Sequence, residues 1–119
     1  MLKEHARCLG AMLDPISAQI VKAIDSQCDP PVLLALLQLR QDWHFMLCEL
    51  LKASVSSEIL PPEEMVNQMM YLVGQETQLL RDLSVGFAAA SPDKTGRYAV
   101  AWMAAREASE ELIDFYLDY

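Results

Sequence analysis

Basic residues are scarce in this chain, and they are scattered. Nine Lys and Arg stand against seventeen Asp and Glu, leaving a net charge of −8 over 119 residues. A duplex-binding protein needs a Lys/Arg stripe to neutralise phosphates, so nucleic acid is excluded as an expected partner. The same imbalance disfavours anionic membrane surfaces and favours a basic protein partner. Long apolar runs are also missing. The longest, Tyr98 to Ala105, falls far short of the ~20 residues that a spanning helix requires. Lys3, Glu4, His5 and Arg7 near the start leave no secretory signal legible.

Cysteine is limited to Cys8, Cys28 and Cys48. An odd number with no C-x-x-C spacing points to unpaired thiols in a reducing, cytoplasmic setting, with core filling as their ordinary role. Threonine occurs twice and aromatics make up 8%, which leaves little material for strands. No phosphate-cradling glycine loop and no G-x-S-x-G nucleophile turn is present. The sequence therefore predicts no cofactor and no assembled catalytic residues.

Helix formers dominate what is present: eighteen Leu, fourteen Ala and seven Met within a 53% hydrophobic composition. Four segments carry helical periodicity, separated at Asp29-Pro30-Pro31, Leu60-Pro61-Pro62 and Ser91-Pro92-Asp93-Lys94-Thr95-Gly96. Proline suits a first helical turn, where its missing N–H would be unpaired anyway. Asp29 reads as an N-cap. Glu63 and Glu64 suit the positive end of a helix dipole.

The first segment repeats Leu2, Ala6, Leu9, Leu13, Ile16, Ile20 and Ala23 across Asp14-Pro15, which leaves one helix kinked at Pro15 or, as the expected form, two collinear pieces forming one rod. The second, Pro31 to Ala53, carries two stripes. One is Val32, Leu36, Leu39, Trp43, Met46, Leu50 and Ala53; the other is Leu33, Leu37, His44, Leu47 and Leu51. So wide an apolar arc predicts more than one packing neighbour. The third, Pro62 to Ala90, offers Met65, Met69, Leu72, Glu76, Leu79, Leu83 and Phe87, with close packing or a bend expected at Gly74 and Gly86. The fourth, Arg97 to about Leu117, repeats Tyr98, Ala101, Ala105, Ala108, Leu112, Phe115 and Tyr119. Short connections make consecutive rods antiparallel, so the expected fold is all-α: one domain, an up-down bundle of four long helices.

Candidate sites are few. His5 with Cys8 and His44 with Cys48 each share a helical face, but their spacing matches no zinc module. Leu2 and Gln41, three residues before the two histidines, rule out a Glu-x-x-His di-iron pattern. No metal is expected. Glu76, on the apolar stripe, is a candidate general base; the plainer reading turns Thr77 and Leu80 inward and leaves Glu76 solvated. Lys94 to Arg97 resemble an anion site at a helix start, but read as a polar turn and cap.

The C-terminal segment carries Glu111, Asp114 and Asp118 around Tyr116, acids that oppose the helix dipole. An aromatic ringed by one sign of charge resembles a partner-binding edge; the plainer reading is a solvated acidic face. The expected function is a non-enzymatic protein-interaction module: an adaptor, small chaperone or regulatory subunit. A homodimer is expected, with Leu33, Leu37 and Leu51 at its interface. The alternatives are a metal-binding or catalytic bundle using Glu76, His44 and Cys48, and a helical subunit stable only within a larger complex.

Overall fold

The computed structural model describes residues 2–26, 30–57, 62–88 and 92–118. They form four helices: α1 (Leu2–Asp25), α2 (Pro30–Ser57), α3 (Glu63–Ala88) and α4 (Pro92–Leu117). The body measures 45 × 23 × 17 Å. Neighbours run antiparallel. Arg40 of α2 meets Ser17 of α1 and Glu76 of α3, Ser109 of α4 meets Glu76, and Arg7 near the start of α1 meets Asp118 just past α4. The helices close into a ring in which α1 and α4 make the sparsest contact. The chain is thus an all-α, up-down four-helix bundle. No described helix is long and apolar enough to cross a membrane.

Helix α1 is continuous across Pro15, not divided into two pieces. Proline removes one hydrogen bond and crowds the carbonyl four residues back. Here Ala11 and Pro15 are both exposed, so the carbonyl left without its helical partner lies on the water side. Helix α4 begins at Pro92 rather than Arg97, which places Thr95 and Gly96 within the helix rather than in a turn. The Asp29 cap falls outside the described residues.

The buried stripe of α2 is Leu33, Leu37, Arg40, His44, Leu47, Leu51 and Ser54, spaced 4-3-4-3-4-3. Leu33, Leu37 and Leu51 are each 0% exposed, so they belong to the bundle core and not to a face for a second subunit. The outward stripe is the other one. Val32, Leu39 and Met46 are exposed, with half-buried Leu36, Trp43 and Leu50 beside them.

Helix α4 is rotated by about one position from its expected face. It buries Ala99, Trp102, Ala105, Ser109, Ile113 and Tyr116, while Ala101, Ala108 and Phe115 face water. Burying the bulk of Trp102 and Tyr116 outweighs the regular run of small alanines. In α3, Gly86 is buried, but Gly74 is exposed, and a Cβ there would meet nothing within 4 Å. Close packing does not explain Gly74.

The apolar core is divided. One cluster gathers Leu9, Leu13, Leu47, Leu51, Met69, Val73, Ile113 and Tyr116 at the end that holds both chain termini. The other gathers Ile20, Leu33, Leu37, Leu80, Leu83 and Trp102 at the opposite end. Between them lies a layer of buried polar side chains.

Candidate functional site

Every helix contributes to that layer. Ser17 comes from α1, Arg40 and His44 from α2, Glu76 from α3 and Ser109 from α4, and each is 2% exposed or less. All occupy heptad core positions where the surrounding residues are apolar. Burying a charge is costly unless it is paired and hydrogen-bonded, and the layer meets that condition closely. Arg40 Nη2 donates to Glu76 Oε1 at 2.7 Å, and Arg40 Nε donates to Ser17 Oγ at 3.0 Å. The second carboxylate oxygen, Glu76 Oε2, accepts from Ser109 Oγ at 2.9 Å. Burial lowers the pKa of Arg40, with Glu76 opposing that effect. A guanidinium nevertheless stays protonated in proteins, so Arg40 is the cation of the pair.

His44 completes the layer in its neutral form. Its Nε2 lies 3.0 Å from the Val73 carbonyl, to which it donates, and that carbonyl also accepts from Thr77 Oγ1 at 2.9 Å. Nδ1 then faces Glu76 Oε2 at 3.7 Å, too long for a hydrogen bond. Burial pulls the His44 pKa below its ordinary value despite the attraction of Glu76. A second buried polar contact lies nearer the termini, where Ser54 Oγ and Tyr116 Oη share a hydrogen bond of 2.7 Å.

Four buried polar atoms have no protein partner among the described residues: Arg40 Nη1, His44 Nδ1, Trp102 Nε1 and Arg106 Nε. Two clefts reach the layer from outside. One, of about 220 Å³, opens between α1 and α4 and ends on Arg40, Glu76 and Ser109. The other, of about 380 Å³, opens between α2 and α3 beside His44, Cys48 and Gly74.

Several expected sites are dispersed. His5 and Cys8 are exposed on α1, whereas His44 is buried, so these four candidate ligands do not converge. Among the described residues no group of three His, Cys, Asp or Glu is placed to hold a metal ion. Glu76 is buried, contrary to the solvated reading, and both its oxygens are engaged. The Cys48 thiol is pushed up to about 11, chiefly by burial and then by Glu76, so it is protonated at neutral pH. A protonated thiol is a poor nucleophile.

The acidic C-terminal edge is rearranged as well. Tyr116 is 0% exposed, its hydroxyl bonded to Ser54 and its ring capped by Lys3 Nζ at 4.8 Å. It cannot act as a surface anchor. The aromatic standing among Glu111, Asp114 and Asp118 is Phe115, at 62% exposed. Asp118 pairs with Arg7 at 3.3 Å, and Arg7 also donates to the Leu117 carbonyl at 3.2 Å. A cation at the negative end of the dipole thus offsets part of the acidic charge there. Asp114 lines the mouth of the α1–α4 cleft.

Arg40, Ser17 and Ser109 were not legible as site residues. The signal was present for Arg40: the stripe Leu33, Leu37, His44, Leu47, Leu51 skips one heptad position, and that position is 40. Compared with protein-family models, curated proteins and solved structures, the chain matches none.

Proposed function

We propose that this chain is a non-enzymatic protein-interaction module whose contact surface is the outer seam of α2. The observation that carries the reading is the stripe Val32, Leu39 and Met46, 52%, 41% and 53% exposed and one heptad apart. Half-buried Leu36, Trp43 and Leu50 extend it into a continuous apolar band. Leu39 and Met46 each lie two residues from a side chain that borders the α2–α3 cleft, Gln41 and Cys48, and so sit on the flank turned toward α1. Met12, 52% exposed, lies two residues from both Gly10 and Asp14 of the α1–α4 cleft, and so on the flank of α1 turned toward α2. Apolar bands of this kind mark sites where another helix packs.

The net charge of −8 favours a basic rim on the partner. Free thiols at exposed Cys8 and half-buried Cys48 suit a reducing, cytoplasmic location. The catalytic alternative is weakened by the protonated Cys48 and by a Glu76 whose oxygens are both engaged.

A second copy of this chain, which would be held by the apolar band without a basic rim, is the first occupant to test. Leu39→Glu and Met46→Glu alter exposed side chains and leave the core untouched, so both variants should keep the melting temperature of the wild type. Sedimentation at micromolar concentration should give a dimer mass for the wild type and a monomer mass for the variants. A monomeric wild type removes the homodimer, and equal masses for wild type and variants remove the seam as its interface.

A further inference from the structure

We propose that the groove between α3 and α4 takes a basic amphipathic helix of a partner protein, laid along α4. Ala101, Ala108 and Phe115, one heptad apart, belong to the run whose spacing marks a packing face of α4, yet the fold leaves them on the outside of the bundle. All three are exposed, Phe115 at 62%. A heptad repeat is what one helix offers another, and none of the described elements covers this one.

The groove beside it measures about 550 Å³ and is lined by Gln68 and Leu72 of α3 with Ala108, Glu111, Leu112 and Phe115 of α4. Leu72 and Leu112 are half-buried, so the floor is apolar but open. Ala101 lies on the same flank as Ala108, and Ala104 between them is exposed as well. Side chains this small let a neighbouring helix come toward the short end of the ~8–10 Å interaxial range. From Ala101 to Phe115 the strip runs ~21 Å, the length of two heptads. Such a strip fits the apolar face of a helix; an extended peptide needs a free sheet edge instead.

Charge decides the occupant. Glu111 lines the groove and Glu107 stands one turn before it, both exposed, and none of the described lining residues is basic. Among the cations of these two helices, Arg106 pairs with Glu110 on the side of α4 turned to α1, and Arg81 borders the α2–α3 cleft on the opposite flank of α3. Lys94 and Arg97 lie in the opening turns of α4, two heptads or more from Glu111. Lys or Arg on the flanks of a docked helix would meet Glu107 and Glu111 with opposite charge, whereas a second copy of this chain brings a further net charge of −8.

The probe is a capped peptide of two heptads with Leu at d, Ala at a, Lys at e and g and Gln elsewhere; the control carries Glu in place of every Lys. Each is titrated into ¹⁵N-labelled full-length protein. The Lys peptide should give saturable shifts at the Leu72, Ala101 and Ala108 amides with a Kd of about 1 mM or tighter. The Glu peptide should bind at least about tenfold more weakly, because like charges then face each other. Ala108→Arg puts bulk and positive charge into the strip at an exposed position, so it should abolish binding while the circular dichroism spectrum is retained. Glu107→Gln/Glu111→Gln should weaken binding and reduce its salt dependence. Leu39→Glu, on the α2 seam, should bind the Lys peptide as the wild type does, which keeps this groove separate from that surface. Absence of saturable shifts, shifts confined to Leu39 and Met46, equal binding of the two peptides, or binding that survives Ala108→Arg would overturn the proposal. So would sedimentation showing a wild-type dimer that Ala108→Arg dissociates, since a second copy would then hold the groove.

Discussion

Glu76 and Arg40 are the residues on which the bundle's internal order turns. Both are charged, both sit at core positions, and they meet at 2.7 Å with almost no solvent contact. A buried pair contributes little net stability over a well-packed apolar equivalent, but removing one partner leaves an uncompensated charge. Glu76→Ala should therefore cost about 3–5 kcal/mol in urea unfolding. The double variant Arg40→Met/Glu76→Met should recover most of that loss. Equal destabilisation by the single and double variants would mean that the charges are not coupled.

His44 gives the layer a pH dependence of definite sign. Burial holds its pKa below the ordinary value in the folded state, so the unfolded chain takes up the proton more readily. The resulting stability is fully present above the unfolded value of about 6.5 and is lost as pH falls below it. Unfolding free energy should fall between pH 7 and pH 5, and His44→Gln should flatten the difference. An unchanged slope in that variant would place the titration elsewhere.

At the scale of elements, α3 carries an avoidable weakness. Gly74 is exposed, its Cβ position is open, and it lies inside a helix. Gly74→Ala should raise stability by up to about 1 kcal/mol, read as a higher urea midpoint. A lower midpoint would show that the open space is required.

The four-rod plan was legible because prolines and apolar periodicity act locally, whereas the start of α4 at Pro92 and the continuity of α1 across Pro15 were not. Which face turns inward was less legible. In α2 two stripes of equal quality compete, and only the neighbours decide that Leu33, Leu37 and Leu51 are core while Val32, Leu39 and Met46 are surface. In α4 the alanine run Ala101, Ala105, Ala108 makes the more regular pattern, yet Trp102 and Tyr116 set the rotation because they bury more area.

The polar layer escaped sequence reasoning for a related reason. Arg40 and Glu76 lie 36 residues apart and on separate helices, and nothing local announces that two opposite charges will share one level of the core. Glu76 stands out in the sequence only because it interrupts an apolar stripe.

For the molecule as a whole, the two halves of the core are joined by a buried polar layer, in which Arg40 Nη1 and His44 Nδ1 lack a partner among the described residues, while the apolar band of α2 remains outside. Burying a Leu or Met side chain that is otherwise exposed contributes roughly 1.5–3 kcal/mol, so a partner covering Leu39 and Met46 gains a substantial part of a specific contact. The rest of the affinity would come from the rim, and the chain as a whole carries a net charge of −8. Association should therefore weaken with added salt if the partner is basic.

The most direct measurement is site-specific photo-cross-linking in the native host, with a light-activated residue at position 46 and a control at the exposed polar position 38. One discrete adduct is expected from position 46, either a second copy of this chain or a single partner, and it should be lost when Leu39→Glu is added. No adduct from position 46, or the same adducts from position 38, would contradict it.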